Sequence, residues 1–466
     1  MRLHNTLTRQ TEELKPIKPG EVSLYTCGFT VYDYAHIGNA FAYLAWDNLR
    51  RALELSGYKV RHVMNITDVG HLVSDADEGE DKLEKGAKRA GKTVWDIAEH
   101  YTEAFKQDML ALNILPPNAY TDPKRHDHYA RATDFIPQQI ELVQRLFDHG
   151  FVYQTEQAIY FDVTKLPSYG ELSGQKLTDK EVAVRDEVVS DPSKHHPYDF
   201  AVWFFTVGHY ADHTMHWPSP WGEGFPGWHL ECSAIIHATL NDPIDIHTGG
   251  IDHIGTHHTN EMAQTEAAFG HRLANNWLHN NFMLVDGGKM SKSKQNFYTL
   301  RALTDKGIIP LAYRLLVLQS HYRTPLNFTW ESLEAAQNTL LNLHAWADQT
   351  HQGESGGLPA GWDQPVITAL ANDLDTATGL AHVFELSSQH TPTQADLKQL
   401  DNIFGLSLAN RSDITAAQKR LIADREAARV AKDWAKSDAL RDTLRQEHQL
   451  DIDDTPAGPR WRRTAI

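Results

Sequence analysis

Val22-Ser23-Leu24-Tyr25 alternates in the manner of a strand and leads through Cys27-Gly28 to His36-Ile37-Gly38-Asn39. After His36, apolar residues recur near helical spacing, which predicts a helix. Gly57 ends that helix in the usual C-terminal position, and residues 59–66 predict the next strand. Strand, helix and strand in this order predict a parallel sheet of an α/β domain.

The α/β pattern is interrupted and later resumes. Residues 119–220 contain an amphipathic helix, short strands and polar loops, whereas Ile244-Asp245-Ile246-His247 returns to a strand and is followed by a helix. We therefore expect a doubly wound domain, formed by residues 1–118 and 221–285, that is split by an insertion. Residues 331–410 predict a helical bundle, and residues 411–466 predict two helices and a short extended cap.

The composition is that of a soluble globular protein, with 41% hydrophobic and 23% charged residues among 466. No apolar run is long enough for a membrane span and the N-terminus lacks a signal-peptide core, so we expect a cytoplasmic protein that does not bind membranes. A net charge of −17 argues against non-specific nucleic-acid binding. The last 56 residues, however, carry 12 basic against 10 acidic side chains, so this end can still contact a polyanion.

Two motifs predict a phosphate-binding centre. His36-Ile37-Gly38-Asn39 lies where a loop enters a helix, and helix N-termini attract phosphate. Lys289-Met290-Ser291-Lys292-Ser293 follows a strand and two glycines, so its lysines are placed to neutralise charge on a triphosphate. The alternatives are a chance His-Ile-Gly and a solvated basic loop. The second is disfavoured by the specificity of the five-residue string.

The two cysteines, Cys27 and Cys232, are either buried thiols or metal ligands. Early in a predicted helix lies His257-His258-Thr259-Asn260-Glu261. His257 and Glu261, four residues apart, share a helix face, and His258 with Glu261 also fits, so spacing leaves the histidine open. Two thiolates, one imidazole and one carboxylate suit zinc.

In this order and on this fold, the two phosphate motifs resemble the paired signatures of class I aminoacyl-tRNA synthetases. Further strings are similar to the cysteinyl-tRNA synthetase family, and this resemblance covers nearly the whole chain. They are Thr26-Cys27-Gly28-Phe29-Thr30-Val31-Tyr32-Asp33, Asn65-Ile66-Thr67-Asp68, Gly227-Trp228-His229-Leu230-Glu231-Cys232-Ser233, His257-His258-Thr259-Asn260-Glu261, Lys432-Asp433-Trp434 and Trp461-Arg462-Arg463.

The resemblance implies a class I Rossmann-type sheet, a connective insertion over 119–220 and a tRNA stem-contact region with the lysine loop over 286–330. It also implies an anticodon-binding domain over 411–466. The implied reaction joins L-cysteine to ATP as cysteinyl-adenylate, with release of pyrophosphate, and then transfers cysteine to the 3′ end of tRNA(Cys). One zinc ion per chain would be held by Cys27, Cys232, His257 and Glu261, and Mg2+ would accompany ATP. We expect a monomer.

The family resemblance also assigns the remaining site residues. The catalytic set is His36, Asn39, Lys289 and Lys292. The cysteine pocket is Gly28, Thr67, Trp228, His247 and Asp252. ATP binding falls on His36, Gly38, Asn39, Gly249 and Lys292. Anticodon contacts fall on Arg429, Trp434, Asp438, Arg441 and Asp454. The alternatives with no role in function are a core tryptophan at 228, a strand histidine at 247 and a solvated helical face at the C-terminal end.

Two other functions fit parts of the sequence. A cysteine ligase that acts on an amino-sugar or another small amine would keep the active-site motifs but end before the anticodon region. A non-catalytic paralogue would have lost a lysine of the loop or a zinc ligand. Four features depart from the family pattern: Asn39 in place of histidine, Gly70-His71 in place of an acidic pair, a charged segment at residues 75–92, and Phe204 where lysine is common.

Overall fold

The structure is a computed structural model that describes residues 1–70, 82–175, 192–290, 296–353, 356–456 and 458–464. Within these ranges, none of the helices has both the length and the apolar character needed to cross a membrane. Of the charged segment at 75–92, residues 82–92 are described and include a helix.

The strands are β1 (Arg2–Asn5), β2 (Gln10–Glu13), β3 (Glu21–Thr30), β4 (Lys59–Thr67), β5 (Ala130–Arg131), β6 (Val152–Gln154), β7 (Ala158–Phe161), β8 (Phe200–Phe205), β9 (Trp217–Ser219), β10 (Gly222–Pro226), β11 (Ile244–Gly250), β12 (Ala274–Asn280), β13 (Met283–Val285), β14 (Gly288–Lys289), β15 (Leu326–Phe328), β16 (Leu450–Thr455) and β17 (Gly458–Arg463). The helices are α1 (Ile37–Leu55), α2 (Lys82–Ala90), α3 (Val94–Ala111), α4 (Ile136–Asp148), α5 (Trp228–Leu240), α6 (His257–Phe269), α7 (Leu300–Thr304), α8 (Pro310–Leu318), α9 (Trp330–Asp348), α10 (Asp363–Leu370), α11 (Thr376–Gln389), α12 (Gln394–Phe404), α13 (Ala416–Val430) and α14 (Trp434–Gln446).

A five-stranded parallel sheet in the order β12-β11-β3-β4-β5 joins strands from residues 21–131 with strands from residues 244–280. Its inner strands are almost continuously buried, as expected for a parallel sheet covered on both faces. The predicted strand, helix and strand from Val22 to Ile66 are therefore confirmed as β3, α1 and β4. Pairing of β3 with β4 is irregular between Thr26 and Phe29, at the carboxyl end of the strand.

A second, antiparallel sheet in the order β6-β7-β8-β10-β9 interrupts the parallel one. β5 pairs with β4, and β10 pairs with β8, so the chain leaves the parallel sheet after Arg131 and leaves the antiparallel sheet after Pro226. The domain limits at 119 and 220 remain predictions. Phe204, in β8, is buried and stacks on Phe225 with ring centroids 5.0 Å apart, so its apolar character serves the core of this sheet.

From Trp330 onward the chain is mainly helical, as the sequence predicts. The core beneath α1 and α3 continues without a break into α8, α9 and α12. The two helices expected after Thr415 are α13 and α14, and the expected extended cap is the hairpin of β16 and β17. This last unit has a hydrophobic core of its own, formed by Ile414, Ile422, Leu444, Leu450, Ile452 and Trp461.

Candidate active site and metal centre

Four metal-ligating side chains from three elements meet at the carboxyl end of the parallel sheet. Cys27 lies on β3, Cys232 on α5, and His257 and Glu261 on α6. One ligand atom from each lies within 4.8 Å of the others. All four side chains are buried. Cys27 and Cys232, 205 positions apart in the sequence, are brought together because α5 packs against the sheet that contains β3.

Glu261 is the common partner of two histidines. Its Oε1 lies 2.8 Å from His257 Nε2, as expected for residues that are four apart and share one helix face. Its Oε2 lies 2.7 Å from His247 Nε2. His258, the alternative that spacing left open, instead places Nε2 3.3 Å from the Cys27 sulfur. As a result Cys27, His247, His258 and Glu261 form a second, overlapping group with ligand atoms within 4.8 Å of one another.

The charges of this cluster fit a bound cation. Burial alone would raise the pKa of Glu261, but His247 and His257 outweigh it and hold that pKa well below its usual range. Burial raises the pKa of the Cys27 thiol, whereas a hydrogen bond from Cys27 lowers the pKa of Cys232. Although burial opposes it, Glu261 and Cys232 raise the pKa of His257 to about 10. Without a metal, a proton on His257 therefore balances the Glu261 carboxylate, and a metal cation would supply that positive charge instead.

Further imidazoles contact the donors or lie next to those that do. His229 Nδ1 lies 3.0 Å from His257 Nδ1, and His258 Nδ1 lies 2.7 Å from His279 Nε2. Burial lowers the pKa of His258 and of His279 well below the usual value, so these rings are neutral. Neither His229 nor His279 is among the site residues predicted from the sequence. The string that contains Cys232 also contains His229, which was the available signal for that residue.

The residues assigned to the cysteine pocket lie around this cluster. The Gly28 amide donates to Asn65 Oδ1 at 2.7 Å, and a Cβ at Gly28 would lie 1.6 Å from the Asn65 carbonyl oxygen, so only glycine fits. Thr67 donates to Glu231 Oε2 at 3.0 Å, deep in the protein. The ring of Trp228 lies 4.4 Å from that of His257.

Asp252 differs from the other pocket residues because it is exposed. It lies in the short turn Ile251–His253 that follows β11. Its Oδ1 would be 2.2 Å from a Cβ added at Gly250. Gly249 is fixed by packing as well, since a Cβ there would lie 2.6 Å from His253 Nδ1 and 2.7 Å from His258 Cε1.

The first phosphate motif forms the start of α1. His36 is the N-cap residue, and its Nδ1 accepts a hydrogen bond from the Asn39 amide at 3.1 Å. The Asn39 side-chain oxygen accepts one in return from the His36 amide at 3.1 Å. This reciprocal capping box gives Asn39 a local structural role that a histidine side chain would fill differently.

The second phosphate motif begins beside the first. Lys289 lies in β14, and Met290 Cε would be 3.7 Å from a Cβ added at Gly38. After the loop, the Phe297 ring lies edge-on to that of His36 at 4.9 Å, and the Ile37 amide donates to the Tyr298 carbonyl at 2.9 Å. Lys292 lies outside the described residues.

The five candidate anticodon residues fall into two groups. Trp434, Asp438 and Arg441 are exposed on α14 at positions i, i+4 and i+7, which share one face, and Asp438 pairs with Arg441 at 3.1 Å. Asp454, on β16, instead pairs with Arg429 and accepts two hydrogen bonds from Arg425 at 2.8 and 2.9 Å. This second group ties the terminal hairpin to α13.

Three comparisons with known proteins agree with this geometry. Residues 13–338 match the family model for the catalytic domain of class I (C) tRNA synthetases. The chain is 43% identical to cysteine–tRNA ligase 1 of Burkholderia lata, over 98% of this chain and 96% of that protein. It is 40% identical to the cysteine–tRNA ligase of Treponema denticola, over 96% of both chains.

Solved structures show the same fold at low sequence identity. The methionyl-tRNA synthetase of Mycobacterium tuberculosis with methionyl-adenylate is 16% identical, with a TM-score of 0.55, over 84% of this chain and 88% of that chain. LeuRS of Agrobacterium radiobacter, from a ternary complex with tRNA and LeuAMS, is 11% identical, with a TM-score of 0.57, over 86% of each chain. Because the family model matches well over half of the chain and the curated relatives align along almost all of it, the chain belongs to the cysteine–tRNA ligase family of class I tRNA synthetases.

Proposed function

We propose that this protein is a cysteine–tRNA ligase that activates L-cysteine with ATP and transfers it to the 3′ end of tRNA(Cys). One observation carries the proposal: two thiols, an imidazole and a carboxylate converge at the carboxyl end of the parallel sheet, whose strand β3 precedes the helix that begins with the phosphate motif. The names of relatives that align along nearly all of the chain support the same reaction. Their alignments with this chain extend through the C-terminal unit, which an amino-sugar ligase would lack.

We assign one zinc ion per chain to Cys27, Cys232, His257 and Glu261. The donor set fits zinc because thiolates and imidazole are its preferred ligands and the site is buried among neutral imidazoles. When bound, zinc would favour the thiolate form of a cysteine substrate over the hydroxyl of serine. His247 orients the Glu261 carboxylate through its hydrogen bond, and His258 does the same for the Cys27 sulfur.

The pocket residues fix the rest of the amino acid. Trp228 covers the cluster from the start of α5, and Gly28 lets the substrate approach the end of β3. Thr67 is held in place by Glu231, so its position is set before substrate arrives. Asp252, exposed on its turn, is available to pair with the substrate ammonium group.

The two phosphate motifs bind ATP with Mg2+. His36, Gly38 and Asn39 form the helix end that faces phosphate, Gly249 lies against the adenosine, and Lys289 and Lys292 neutralise charge that develops at the α-phosphorus. Carboxylate attack at that phosphorus forms the adenylate and expels pyrophosphate. The role of each chain residue is positional and electrostatic.

The C-terminal region recognises the tRNA. Residues 286–330 contact the stem, and the domain at 411–466 reads the anticodon through Trp434, Asp438 and Arg441. Unpaired bases stack on exposed aromatic rings, and Trp434 is 59% exposed. Arg429 and Asp454 hold the hairpin that completes this domain. We further propose a cytoplasmic monomer.

Charging of a tRNA(Cys) transcript with radiolabelled cysteine tests the proposal. We expect cysteinyl-tRNA with the native transcript and strongly reduced charging of a transcript with a changed anticodon. Glucosamine offered as the acceptor serves as the comparison. Transfer of cysteine to glucosamine, with no charging of the transcript, would instead support the amino-sugar ligase.

A further inference from the structure

Two neighbouring buried residues on α8 contact α1 at separate points. Tyr313 and Arg314 are both completely buried. Tyr313 contacts Ile37, the first residue of α1, and Arg314 contacts Asp47, ten residues or about 15 Å farther along that helix. Helix α8 therefore holds α1 both at its phosphate-binding end and near its middle.

The Tyr313 hydroxyl lies between the first phosphate motif and the strand that precedes the second. It donates to the Ile37 carbonyl at 2.6 Å and lies 3.8 Å from the sulfur of Met283, on the strand that leads to the lysine loop. The Ile37 amide donates to the Tyr298 carbonyl at 2.9 Å. Both backbone polar groups of Ile37, the residue between His36 and Gly38, are thus fixed by segments that follow the lysine loop.

Arg314 anchors α8 in turn. Its guanidinium pairs with Asp47 at 2.5 Å and donates to the carbonyls of Leu112 and Asn113 at 2.9 and 3.0 Å. It also donates to the carbonyl of Phe404, the last residue of α12 in the helical bundle. A buried guanidinium must keep its partners, so these bonds specify where α8 lies relative to α1 and the bundle.

We infer that Tyr313 is a positioning residue for adenylate formation: its hydroxyl sets the place of the turn at 36–38 against the triphosphate. It touches no substrate group and acts through the Ile37 carbonyl. A displacement of about 1 Å in a reacting group can slow a reaction about 100-fold, so loss of one hydrogen bond at this turn should lower kcat. The inference rests on the proposed function, because the triphosphate is that of the ATP used there.

Tyr313→Phe tests the inference because it removes the hydroxyl and keeps the ring. The matched control is Tyr322→Phe, since Tyr322 is also buried and donates to Asp373 Oδ1 at 2.8 Å, away from the turn. Cysteine-dependent ATP–pyrophosphate exchange is measured for both variants and the wild-type protein, with thermal unfolding alongside. We expect kcat to fall about tenfold in Tyr313→Phe with KM for cysteine unchanged, and to stay within about twofold in Tyr322→Phe.

Equal kcat values for the two variants, at matched losses of thermal stability, would overturn the inference and leave Tyr313 a purely structural residue. The same result follows if Tyr313→Phe raises KM for cysteine and lowers kcat together, because the turn would then not be the affected element. A wild-type protein without cysteine-dependent exchange would overturn the proposed function, and the inference would fall with it.

Discussion

The buried donor cluster and the exposed face of α14, which we propose contact the amino acid and the tRNA respectively, differ sharply in their exposure to solvent. At the cluster, Cys27, Cys232, His257 and Glu261 are almost without solvent contact and already lie within 4.8 Å of one another. On α14, Trp434 is 59% exposed, and the exposed Asp438 pairs with Arg441 at 3.1 Å. The site that we propose for the amino acid is therefore buried and already assembled, whereas the surface that we propose for tRNA is open to solvent.

This difference has an energetic meaning. Groups held in the interior interact strongly because water does not screen them, whereas exposed pairs contribute little to stability. Substitutions in the cluster should therefore affect the first step of the reaction and metal content together. Substitutions on α14 should affect only recognition of tRNA.

The largest expected effect is at the cluster. Cys232→Ala or His257→Ala should lose bound zinc and slow cysteine-dependent ATP–pyrophosphate exchange by about 1,000-fold, or about 4 kcal/mol in activation free energy, because a ligand is missing. His237→Ala, on the same helix as Cys232 but partly exposed, is the control and should keep both properties. Zinc content by atomic spectroscopy and the exchange rate give the answer. A zinc-free variant with full exchange would contradict the role of the cluster.

Arg314, which is buried away from the donor cluster, tests whether burial makes an ion pair contribute more to the free energy of unfolding. Arg314→Met should lower the free energy of unfolding by about 3–5 kcal/mol, since Asp47 loses one of its two arginine partners in the interior. Arg323→Met removes the partly exposed pair with Asp373 and should cost at most about 1 kcal/mol. Denaturant unfolding of both variants is the measurement. Equal losses would mean that burial does not separate the two pairs.

The smallest effect is expected on α14. Trp434→Ala should raise KM for tRNA by about tenfold, in line with about 1–2 kcal/mol for one stacked base, and leave ATP–pyrophosphate exchange unchanged. Trp434→Phe keeps an aromatic ring and should retain most of the affinity. Steady-state charging over a range of tRNA concentrations separates these outcomes. An unchanged KM in Trp434→Ala would place the anticodon contact elsewhere.

Local patterns in the sequence predict the part of the fold that local forces build. Alternation at Val22 to Tyr25 and helical spacing after His36 predict β3 and α1, because the period of the apolar residues differs between a strand and a helix. The spacing of His257 and Glu261 places them on one helix face, where they lie 2.8 Å apart, although spacing alone left His258 as an alternative. The order of strands and helices predicts the parallel sheet that brings Cys27 near Cys232.

Contacts across long stretches of chain leave no such local pattern. Nothing near Arg314 in the sequence points to Asp47, 267 residues away, or to the carbonyl of Phe404. The second group of donors, with His247 and His258, depends on the packing of β11 against α6. The engagement of Asp454 by Arg425 likewise depends on where the hairpin folds back.

We propose that the buried cluster holds zinc and that zinc selects cysteine. The most direct measurement is metal analysis of the purified wild-type protein, combined with ATP–pyrophosphate exchange with cysteine or serine before and after chelation. We expect one zinc per chain, exchange with cysteine only, and loss of that exchange on chelation with recovery when zinc is returned. Exchange with cysteine that persists in zinc-free protein, or comparable exchange with serine in the zinc-bound protein, would contradict it.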